Sequence, residues 1–333
     1  MTQQRKTNLS ILACLLSLAL VFGVGGMTAC SGNAMYTLTD FGVFDTYITC
    51  KLVWESRAEA EEILAEMRDL VRGLHMDFNI YLPSTEGNNL KTINDHAGEG
   101  IPVAVSQDVI SLLQLGREVY DLSEGRVNIA MGRVLSIWYH NRQDGEHVPS
   151  PEMLQEAAQH ANIQHMVIDE ANATVTLTDP LMSLDVGAIA KGYVCQKLLD
   201  YAKSRGVTNL LVDFGGQVMA LGCGPDGQPW QVGVRDPHTG GVYQTLSVSD
   251  SVVVTSGVDQ RNYTVDGVTY HHIISPDTLM PANDYASVTV VLPLSYVAIS
   301  DGLSTALFLM DKATGEAKLA EITPEGQGIW INP

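Results

Sequence analysis

The chain has 333 residues, of which 45% are hydrophobic and 17% are charged, and its formal net charge at pH 7 is −19. This composition is typical of a folded protein with a substantial core, and it excludes an intrinsically disordered chain. The negative charge argues against nucleic acid or anionic lipid as a direct partner, because their phosphate groups would be repelled.

Residues 1–29 predict a lipoprotein signal peptide. Two basic residues, Arg5 and Lys6, precede an apolar run that is short for a stable membrane span. Small residues then lead to Cys30, in a pattern that resembles a bacterial lipobox with Met27 in place of the usual leucine. We expect cleavage before Cys30 and lipidation of its sulfur, which would anchor the protein on the extracytoplasmic side of the cell membrane. An uncleaved signal anchor is the alternative.

A short polar tether is expected over residues 30–40, followed by one domain over residues 41–333. Alternating apolar residues predict a strand over residues 44–53. Ser56 then begins an amphipathic helix, whose apolar positions recur at helical spacing as far as Leu74. The domain therefore begins with a strand followed by a helix.

Helix-start residues recur later in the chain. One helix is expected to begin near Ser106 and another at Pro151, which follows a serine and precedes a glutamate. From residue 166 onward strands dominate, with a hairpin signal at Asp266–Gly267 and one long helix over residues 295–310. Early helices and late antiparallel strands predict an α+β fold, and without a low-complexity linker we expect one domain with two lobes.

The run DVGAIAKGY, Asp185–Tyr193, joins a carboxylate, a glycine-rich turn and Lys191 at a predicted helix start. The free N–H groups and partial positive charge of a helix N-terminus suit a phosphate, and Lys191 would add a full charge. The run lacks the glycine spacing and the trailing Lys-Ser/Thr of a Walker A loop. Taken alone, such a run is more often a tight strand-to-helix turn than a nucleotide site.

Asp301 and Thr305 are four residues apart on the last predicted helix, so their side chains share a face, and Ser304 lies beside them. A carboxylate with hydroxyl groups is a hard, oxygen-only ligand set that suits Mg²⁺ and does not suit Zn²⁺. An acidic protein that handles a phosphorylated ligand also needs a local cation. A helix N-cap at Ser300 or Asp301 is the alternative.

Two adjacent histidines, His271 and His272, stand at the end of a predicted strand, directly before a short apolar run. Adjacent strand residues face opposite sides, so at most one of the two can face a site. Paired histidines in this position are more often packing or surface residues than catalysts, and the residues alone do not decide between these roles.

Eight segments of the chain resemble the ApbE family of flavin transferases and occur in that family's order: NNLKTIND, NIAMG, DVGAIAKGY, LLVDFGGQVMALG, WQVGVRDP, VVVTSG, YHHIISP and SDGLSTALF. A coincidence of eight ordered motifs is far rarer than a coincidence of one. The resemblance extends from about residue 41 to the C-terminus. It implies a two-lobed α+β domain with antiparallel sheets, flanking helices and FAD in a cleft.

The same resemblance implies roles for single residues. His272 is the implied catalytic base, because the family pattern is a histidine, two aliphatic residues and Asp-Pro, although Ser275 here replaces the Asp. The implied Mg²⁺ ligands are Asp301, Ser304, Thr305 and the carbonyl of Ala188, and several family members have Asp where this chain has Ser304. The implied FAD contacts are Phe44, Tyr81, Arg126, Val127, Asn128, Asp185, Lys191 and Ile274.

Together these roles imply a Mg²⁺-dependent transfer of FMN from FAD to a threonine or serine hydroxyl of an exported or membrane flavoprotein, with release of AMP. The acceptor would be a subunit of a membrane redox complex or an FMN-binding domain, and His272 would take the proton of the attacking hydroxyl. Two alternatives remain. One is hydrolysis of FAD to FMN and AMP, and the other is a lipid-anchored flavin-binding protein without catalysis.

Overall fold

The first described segment of the chain is a strand and not a tether. In the computed structural model, which describes residues 33–333, β1 spans Ala34–Val43 and pairs antiparallel with β2, Thr46–Trp54. Tyr36 and Leu38 of β1 pack against the core, and this alternation holds the segment in the sheet. The tether prediction is therefore wrong from Ala34 onward.

A seven-stranded antiparallel sheet forms the centre of the fold, in the order β1-β2-β6-β7-β10-β13-β14. Its later strands are β6 (Leu210–Phe214), β7 (Gln217–Leu221), β10 (Ser251–Gly257), β13 (Ser287–Pro293) and β14 (Gln327–Ile331). The pairing of β2 with β6 aligns Ile48 with Phe214. This pairing joins the N-terminal hairpin to strands from much later in the chain.

Smaller antiparallel sheets account for the other strands described in residues 33–333. They contain β3 (Val103–Ala104), β4 (Met166–Asp169) and β5 (Thr174–Leu177); β8 (Trp230–Arg235) and β9 (Val242–Val248); and β11 (Tyr263–Val265) and β12 (Val268–Tyr270). A turn at Asp266 and Gly267, whose φ angles are 50° and 81°, joins β11 to β12. Both angles are positive, as the predicted type I′ turn requires.

Eight α-helices lie in the described part of the chain: α1 (Arg57–Asp77), α2 (Leu90–Asp95), α3 (Gln107–Leu122), α4 (Gly132–Asp144), α5 (Pro151–Ala158), α6 (Ala190–Ser204), α7 (Val297–Phe308) and α8 (Lys312–Ile322). The side chains of Ser56, Ser106 and Ser150 accept hydrogen bonds from backbone N–H groups at the starts of α1, α3 and α5. These three predicted helix starts are confirmed. The sequence did not predict α2, α4 and α8.

Helices α6 and α7 come unusually close to each other beside the sheet. Helix α7 lies against β10 and β13, and most of its residues are buried. Helix α6 meets it at Gly192, where an added Cβ atom would lie 2.4 Å from the backbone oxygen of Ala298. Only a glycine permits this approach, which brings the first turn of α6 beside α7.

We expect Gly192→Ala to lower the free energy of unfolding by about 1–3 kcal/mol, the usual cost of overpacking. Gly73→Ala is the matched control, because Gly73 also lies inside a helix but has nothing within 4 Å of an added Cβ. That change should stabilise the protein by roughly 0.5–1 kcal/mol, since alanine favours a helix more than glycine does. Chemical denaturation measures both effects. Equal stability of Gly192→Ala and the wild type would contradict the close contact.

The hydrophobic side chains of the described residues form a main core and two smaller clusters. The main core lies between the central sheet and helices that include α1, α3, α6 and α7. One smaller cluster joins α4 and α5 to the β11–β12 hairpin through residues such as Trp138, Leu154 and Tyr263. The other packs the β8–β9 hairpin against strands of the central sheet. Residues 33–333 form one compact unit, so the predicted single α+β domain is confirmed.

The expected export signal and the Cys30 lipidation site lie outside the described residues. Between residues 33 and 333, no helix has both the length and the apolar character needed to cross a membrane. The cysteines of this part of the chain are free, with Cys50 and Cys195 buried and Cys223 partly exposed. Burial raises the pKa of the Cys50 thiol to about 12, so this side chain behaves as a small apolar residue.

Candidate active site

A cleft with a volume of about 680 Å³ lies beside the start of α6 and the middle of α7. Its size is in the range of small-molecule binding sites. Its walls include Phe44 and Val127, which pack with the main core, Trp138 and Ile274, which belong to the cluster of α4 and α5, and Val232 of the β8–β9 cluster. The cleft is therefore lined by side chains from all three hydrophobic clusters.

The cleft brings together most of the residues that the sequence singled out. Its lining includes His272, the implied metal ligands Ala188, Asp301 and Thr305, and the implied FAD contacts Phe44, Tyr81, Arg126, Val127, Asn128, Asp185, Lys191 and Ile274. Among the candidate residues that the structure describes, Ser304 alone is not part of this lining. Residues separated by more than 200 positions in the chain thus share one surface.

An ion pair between Lys191 and Asp301 joins α6 to α7 at the cleft. The Nζ atom of Lys191 lies 2.8 Å from Oδ1 and 3.1 Å from Oδ2 of Asp301, and the backbone N–H of Lys191 donates to Oδ2 at 3.2 Å. Asp301 is only 4% exposed. Burial raises the pKa of Asp301, and the charge and hydrogen bonds of Lys191 oppose that rise.

Ser256 of β10 contacts the hydroxyl groups of Ser304 and Thr305, which lie one turn after Asp301 on α7. The Oγ atom of Ser304 donates to the backbone oxygen of Asp301 at 2.9 Å and lies 2.8 Å from Oγ of Ser256. Ser256 Oγ also lies 3.3 Å from Oγ1 of Thr305. Ser304 is fully buried behind the cleft, so the structure does not place it as a metal ligand. Thr305 instead shares the helix face of Asp301.

Three groups at the cleft have the chemistry of a magnesium site. They are the carboxylate of Asp301, the hydroxyl of Thr305 and the backbone carbonyl of Ala188. All three offer oxygen, which Mg²⁺ prefers, and a Mg²⁺ site in a protein usually keeps further positions for water or phosphate oxygens. A buried carboxylate such as that of Asp301 requires a positive partner, which Lys191 provides in this structure. The residues present therefore fit a magnesium ion.

His272 lines the same cleft, and its Nδ1 atom is buried without a hydrogen-bond partner among the described residues. Burial, followed by the positive charge of Arg261 and of other nearby cations, lowers the pKa of His272 to about 3. The ordinary histidine value is 6.5. The imidazole is therefore neutral at physiological pH and has a free nitrogen that can take a proton.

This low pKa predicts a specific pH dependence of stability. Between pH 6.5 and about 3 the unfolded chain holds a proton on His272 that the folded chain lacks, so unfolding becomes easier as the pH falls. We expect the wild type to lose about 1–2 kcal/mol more stability than His272→Ala between pH 7 and pH 5. Denaturation at both pH values measures this difference. His147→Ala is the control. Asp144 raises the pKa of exposed His147, so protonation of His147 favours the folded state and any change in stability as the pH falls has the opposite sign.

His271 follows β12, which ends at Tyr270, and it is not among the residues that line the cleft. It is only 3% exposed, and its Nε2 atom lies 2.7 Å from the backbone oxygen of Ala282. The backbone N–H of Ile273 donates to its Nδ1 atom at 3.2 Å. Both ring nitrogens of His271 are thus used to hold the chain that turns back from Ile274 to Pro281, where a single β-bridge forms.

The turn between β1 and β2 presents Phe44 and Asp45 to the cleft in a left-handed backbone conformation, with φ angles of 51° and 56°. The backbone N–H of Phe44 donates to Nδ1 of His75 at 3.2 Å. The Phe44 ring meets the ring of Phe214 edge-on, with 5.5 Å between their centroids. A two-residue hairpin turn of type I′ requires positive φ at both central residues, and the contacts with His75 and Phe214 hold Phe44 at the edge of the cleft.

Arg126 and Asn128 both line the cleft, but they differ in whether the side chain still has a hydrogen-bonding group free for a ligand. The Nε atom of Arg126 is buried and has no partner among the residues described. The side chain of Asn128 is already used, because its Nδ2 donates to the backbone oxygen of Ala161 at 2.8 Å and its Oδ1 accepts from the N–H of Ala130 at 2.9 Å. Arg126 therefore has a donor to offer, whereas the Asn128 amide holds the fold.

Asp185 stands between β5 and α6 with its carboxylate turned back onto the following loop. Its Oδ1 accepts from the backbone N–H of Gly187 at 2.8 Å. Burial raises the pKa of Asp185, and this hydrogen bond and the charge of Arg261 oppose the rise. Asp185 thus fixes the loop that leads to the start of α6.

Two arginines of the cleft, Arg142 and Arg261, were missed by the sequence reasoning. Arg142 lies 5.5 Å from the centroid of the Tyr139 ring, whose centroid lies 5.2 Å from that of Tyr81. Arg261 donates to the backbone oxygen of Phe44 at 3.2 Å. Neither arginine lies in a motif that marks a ligand. In a chain of net charge −19, their gathering at one cleft suits a ligand with phosphate groups.

Comparison with known proteins agrees with this geometry. Residues 44–329 match the model of the ApbE family. The chain is 31% identical to an FAD:protein FMN transferase of Treponema pallidum, over 98% of this chain and 91% of that protein. It is 30% identical to an FAD:protein FMN transferase of Vibrio cholerae, over 78% of this chain and 77% of that protein.

Solved structures agree with the sequence match. The ApbE protein of Thermotoga maritima superposes with a TM-score of 0.77 at 27% identity, over 89% of this chain and 94% of that chain. The flavin transferase ApbE of Vibrio cholerae superposes with a TM-score of 0.75 at 26% identity, over 90% and 93% of the two chains. Because the family match covers most of the sequence and the fold agrees along nearly its whole described length, the chain belongs to the ApbE family.

Proposed function

We propose that this protein transfers FMN from FAD to a threonine or serine hydroxyl of an exported or membrane flavoprotein and releases AMP. The names of its relatives support this reaction. The observation that carries the proposal is the neutral imidazole of His272 in the same cleft as Lys191 and the start of α6. A group that can take a proton and a group that can bind phosphate are the two needs of such a transfer.

The start of α6 would hold the pyrophosphate of FAD. The backbone N–H of Lys191 is taken by Asp301, so the positive end of the helix dipole and the ammonium of Lys191 are the features that favour phosphate there. Arg126 supplies a further donor through its unpartnered Nε. Asp301, Thr305 and the carbonyl of Ala188 would hold Mg²⁺, which would neutralise charge on the pyrophosphate.

In the proposed reaction the acceptor hydroxyl oxygen bonds to the phosphorus of the FMN half, the bond from that phosphorus to the bridging oxygen breaks, and AMP leaves. His272 takes the hydroxyl proton. A conjugate acid with a pKa near 3 makes a weak base, but the phosphates of bound FAD bring negative charge to the cleft. That charge offsets Arg261 and Lys191 and raises the proton affinity of His272 when the substrate is in place.

Mass spectrometry of a candidate FMN-binding domain tests this proposal after incubation with the protein, FAD and Mg²⁺. The expected result is the gain of one FMN group through a phosphoester bond on a threonine or serine, with AMP in solution. Free FMN and AMP without a modified acceptor would favour hydrolysis of FAD. Binding of FAD without formation of either product would indicate a flavin-binding protein without catalysis. That result would overturn the proposed transfer.

We also propose that a lipid on Cys30 anchors the protein to the extracytoplasmic side of the cell membrane. The proposal is supported by the basic residues, short apolar run and small residues that precede Cys30. Replacing Cys30 by alanine should move the protein from the membrane fraction to the soluble fraction. An inhibitor of lipoprotein signal cleavage should leave a larger precursor of the wild type. A wild-type protein that keeps Met1 and fractionates with the cytoplasm would contradict the proposal.

A further inference from the structure

The carboxylate of Asp301 pairs with the Lys191 ammonium and is also an implied ligand of a divalent cation. It is the only acidic side chain among the three implied metal ligands that line the cleft, and its two oxygens are both in contact with the ammonium of Lys191. Oδ2 also accepts the backbone N–H of Lys191. Asp301 is nearly fully buried, so its carboxylate is stabilised by protein groups and hardly by solvent.

The backbone around this pair has little freedom to move apart. Lys191 is the second residue of α6, and its neighbour Gly192 lies directly against the carbonyl of Ala298 in α7. The Lys191 side chain is 23% exposed and belongs to the cleft lining, so its flexible four-carbon stem can swing into the cleft. The ammonium can therefore leave Asp301 by rotation of one side chain, without any shift of the helices.

A divalent cation on Asp301 would lie within a few ångströms of the Lys191 ammonium. Two positive charges that share one buried carboxylate repel each other, and neither is well screened by water. We propose that Lys191 and the divalent cation compete for Asp301, and that the pyrophosphate of FAD ends the competition by binding the Lys191 ammonium. The identity of the anion rests on the proposed function.

This competition makes the binding of metal and substrate mutually dependent. While Lys191 neutralises Asp301, a divalent cation binds weakly. Once the phosphates of FAD take the ammonium, Asp301 is available for the metal. By linkage the metal must strengthen the binding of FAD by the same factor, since each ligand removes a cost of binding the other. Lys191 is a positioning residue in this scheme, because it controls when the metal site is available.

Calorimetric titration with Mn²⁺ alone at pH 8 tests the competition. Lys191→Met removes the competing charge and keeps the length of the side chain, so we expect Mn²⁺ to bind about tenfold more tightly than to the wild type, within the usual range of coupling between sites. Lys197→Met is the matched control. It lies on the same helix and removes a lysine that pairs with Asp108 at 2.9 Å, outside the cleft. Its affinity for Mn²⁺ should equal that of the wild type.

Two further measurements complete the test. Lys191→Gln serves as a second variant in case Lys191→Met folds poorly. It keeps a hydrogen-bond donor for Asp301 without the charge, and it should also bind Mn²⁺ more tightly than the wild type. In a His272→Ala background, which prevents turnover, FAD should strengthen Mn²⁺ binding more when Lys191 is present than when it is methionine.

Unchanged or weaker Mn²⁺ binding in both Lys191 variants would overturn the competition, because Lys191 would then support the carboxylate and not block it. An FAD effect of equal size with and without Lys191 would overturn the release of the ammonium by phosphate. The titration with Mn²⁺ alone involves no FAD, acceptor or turnover. Its result therefore stands whether or not mass spectrometry detects a modified acceptor.

Discussion

His272→Ala is expected to slow FMN transfer by roughly 10²–10⁴-fold, the usual loss when a general base is removed. The affinity for FAD should stay within a few-fold of the wild type, because Lys191, Arg126 and the start of α6 still bind the phosphates. The rate is measured as FMN attached to the acceptor over time, and the affinity by the change in flavin fluorescence. A loss of rate without a loss of affinity assigns His272 to the chemical step.

His271→Asn is the control for this prediction. His271 lies outside the cleft lining and uses both ring nitrogens to hold the backbone near Ile273 and Ala282. Its replacement should lower the free energy of unfolding by about 1–3 kcal/mol, because buried partners lose their hydrogen bonds. Turnover per folded molecule should remain that of the wild type. If both substitutions weaken FAD binding equally and neither slows transfer selectively, the base lies elsewhere, and Asp185, which also lines the cleft, is the next residue to replace.

Asp301→Asn should lower metal-dependent transfer by roughly 10²–10³-fold, since a metal that stabilises charge in the transition state contributes several kcal/mol. The substitution keeps the shape of the side chain and an oxygen for the backbone N–H of Lys191. Activity of the wild type should disappear in excess chelator and return with added Mg²⁺, whereas added Mg²⁺ should not rescue the variant. Steady-state assays over a range of Mg²⁺ concentrations measure both effects.

The matched control is Asp108→Asn, which breaks another ion pair of α6. Asp108 lies 2.9 Å from Nζ of Lys197 and accepts a hydrogen bond from the hydroxyl of Tyr193 at 2.8 Å, outside the cleft. This variant should keep the Mg²⁺ dependence of the wild type. Full activity of Asp301→Asn, or of the wild type in chelator, would remove magnesium from the proposed mechanism.

Local capping chemistry made three helices predictable from the sequence, although α2 and α8, which also begin with a side-chain cap, were missed. Helices α1, α3 and α5 each begin with a serine whose side chain caps the first turn, and such a signal is local. Helix α4 has no side-chain cap. It begins at Gly132, whose N–H donates to the backbone oxygen of Ser183 and whose missing side chain makes room for that backbone. This start depends on a tertiary contact, so no local pattern could reveal it.

The residues of the cleft also divide into those whose positions follow from local sequence and those that only the folded chain brings together. Asp301 and Thr305 share a helix face, and their common position follows from helix geometry alone. Arg142 and Arg261 are far apart in the chain and meet near His272 only in the folded protein. The family pattern assigned His272 its role, but the depth of its pKa shift depends on burial and on these arginines. The pattern therefore indicated the residue but not its proton affinity.

The strand order of the central sheet also affects how the chain folds. The β1–β2 hairpin is complete by Trp54, but its other neighbour, β6, ends only at Phe214. A two-stranded hairpin is marginally stable in water, and pairing between such distant segments is slow. The N-terminal hairpin therefore waits for most of the chain to be synthesised before it can join a sheet. If the protein is exported as we expect, its leading segment would therefore enter a translocation pore before the central sheet has formed.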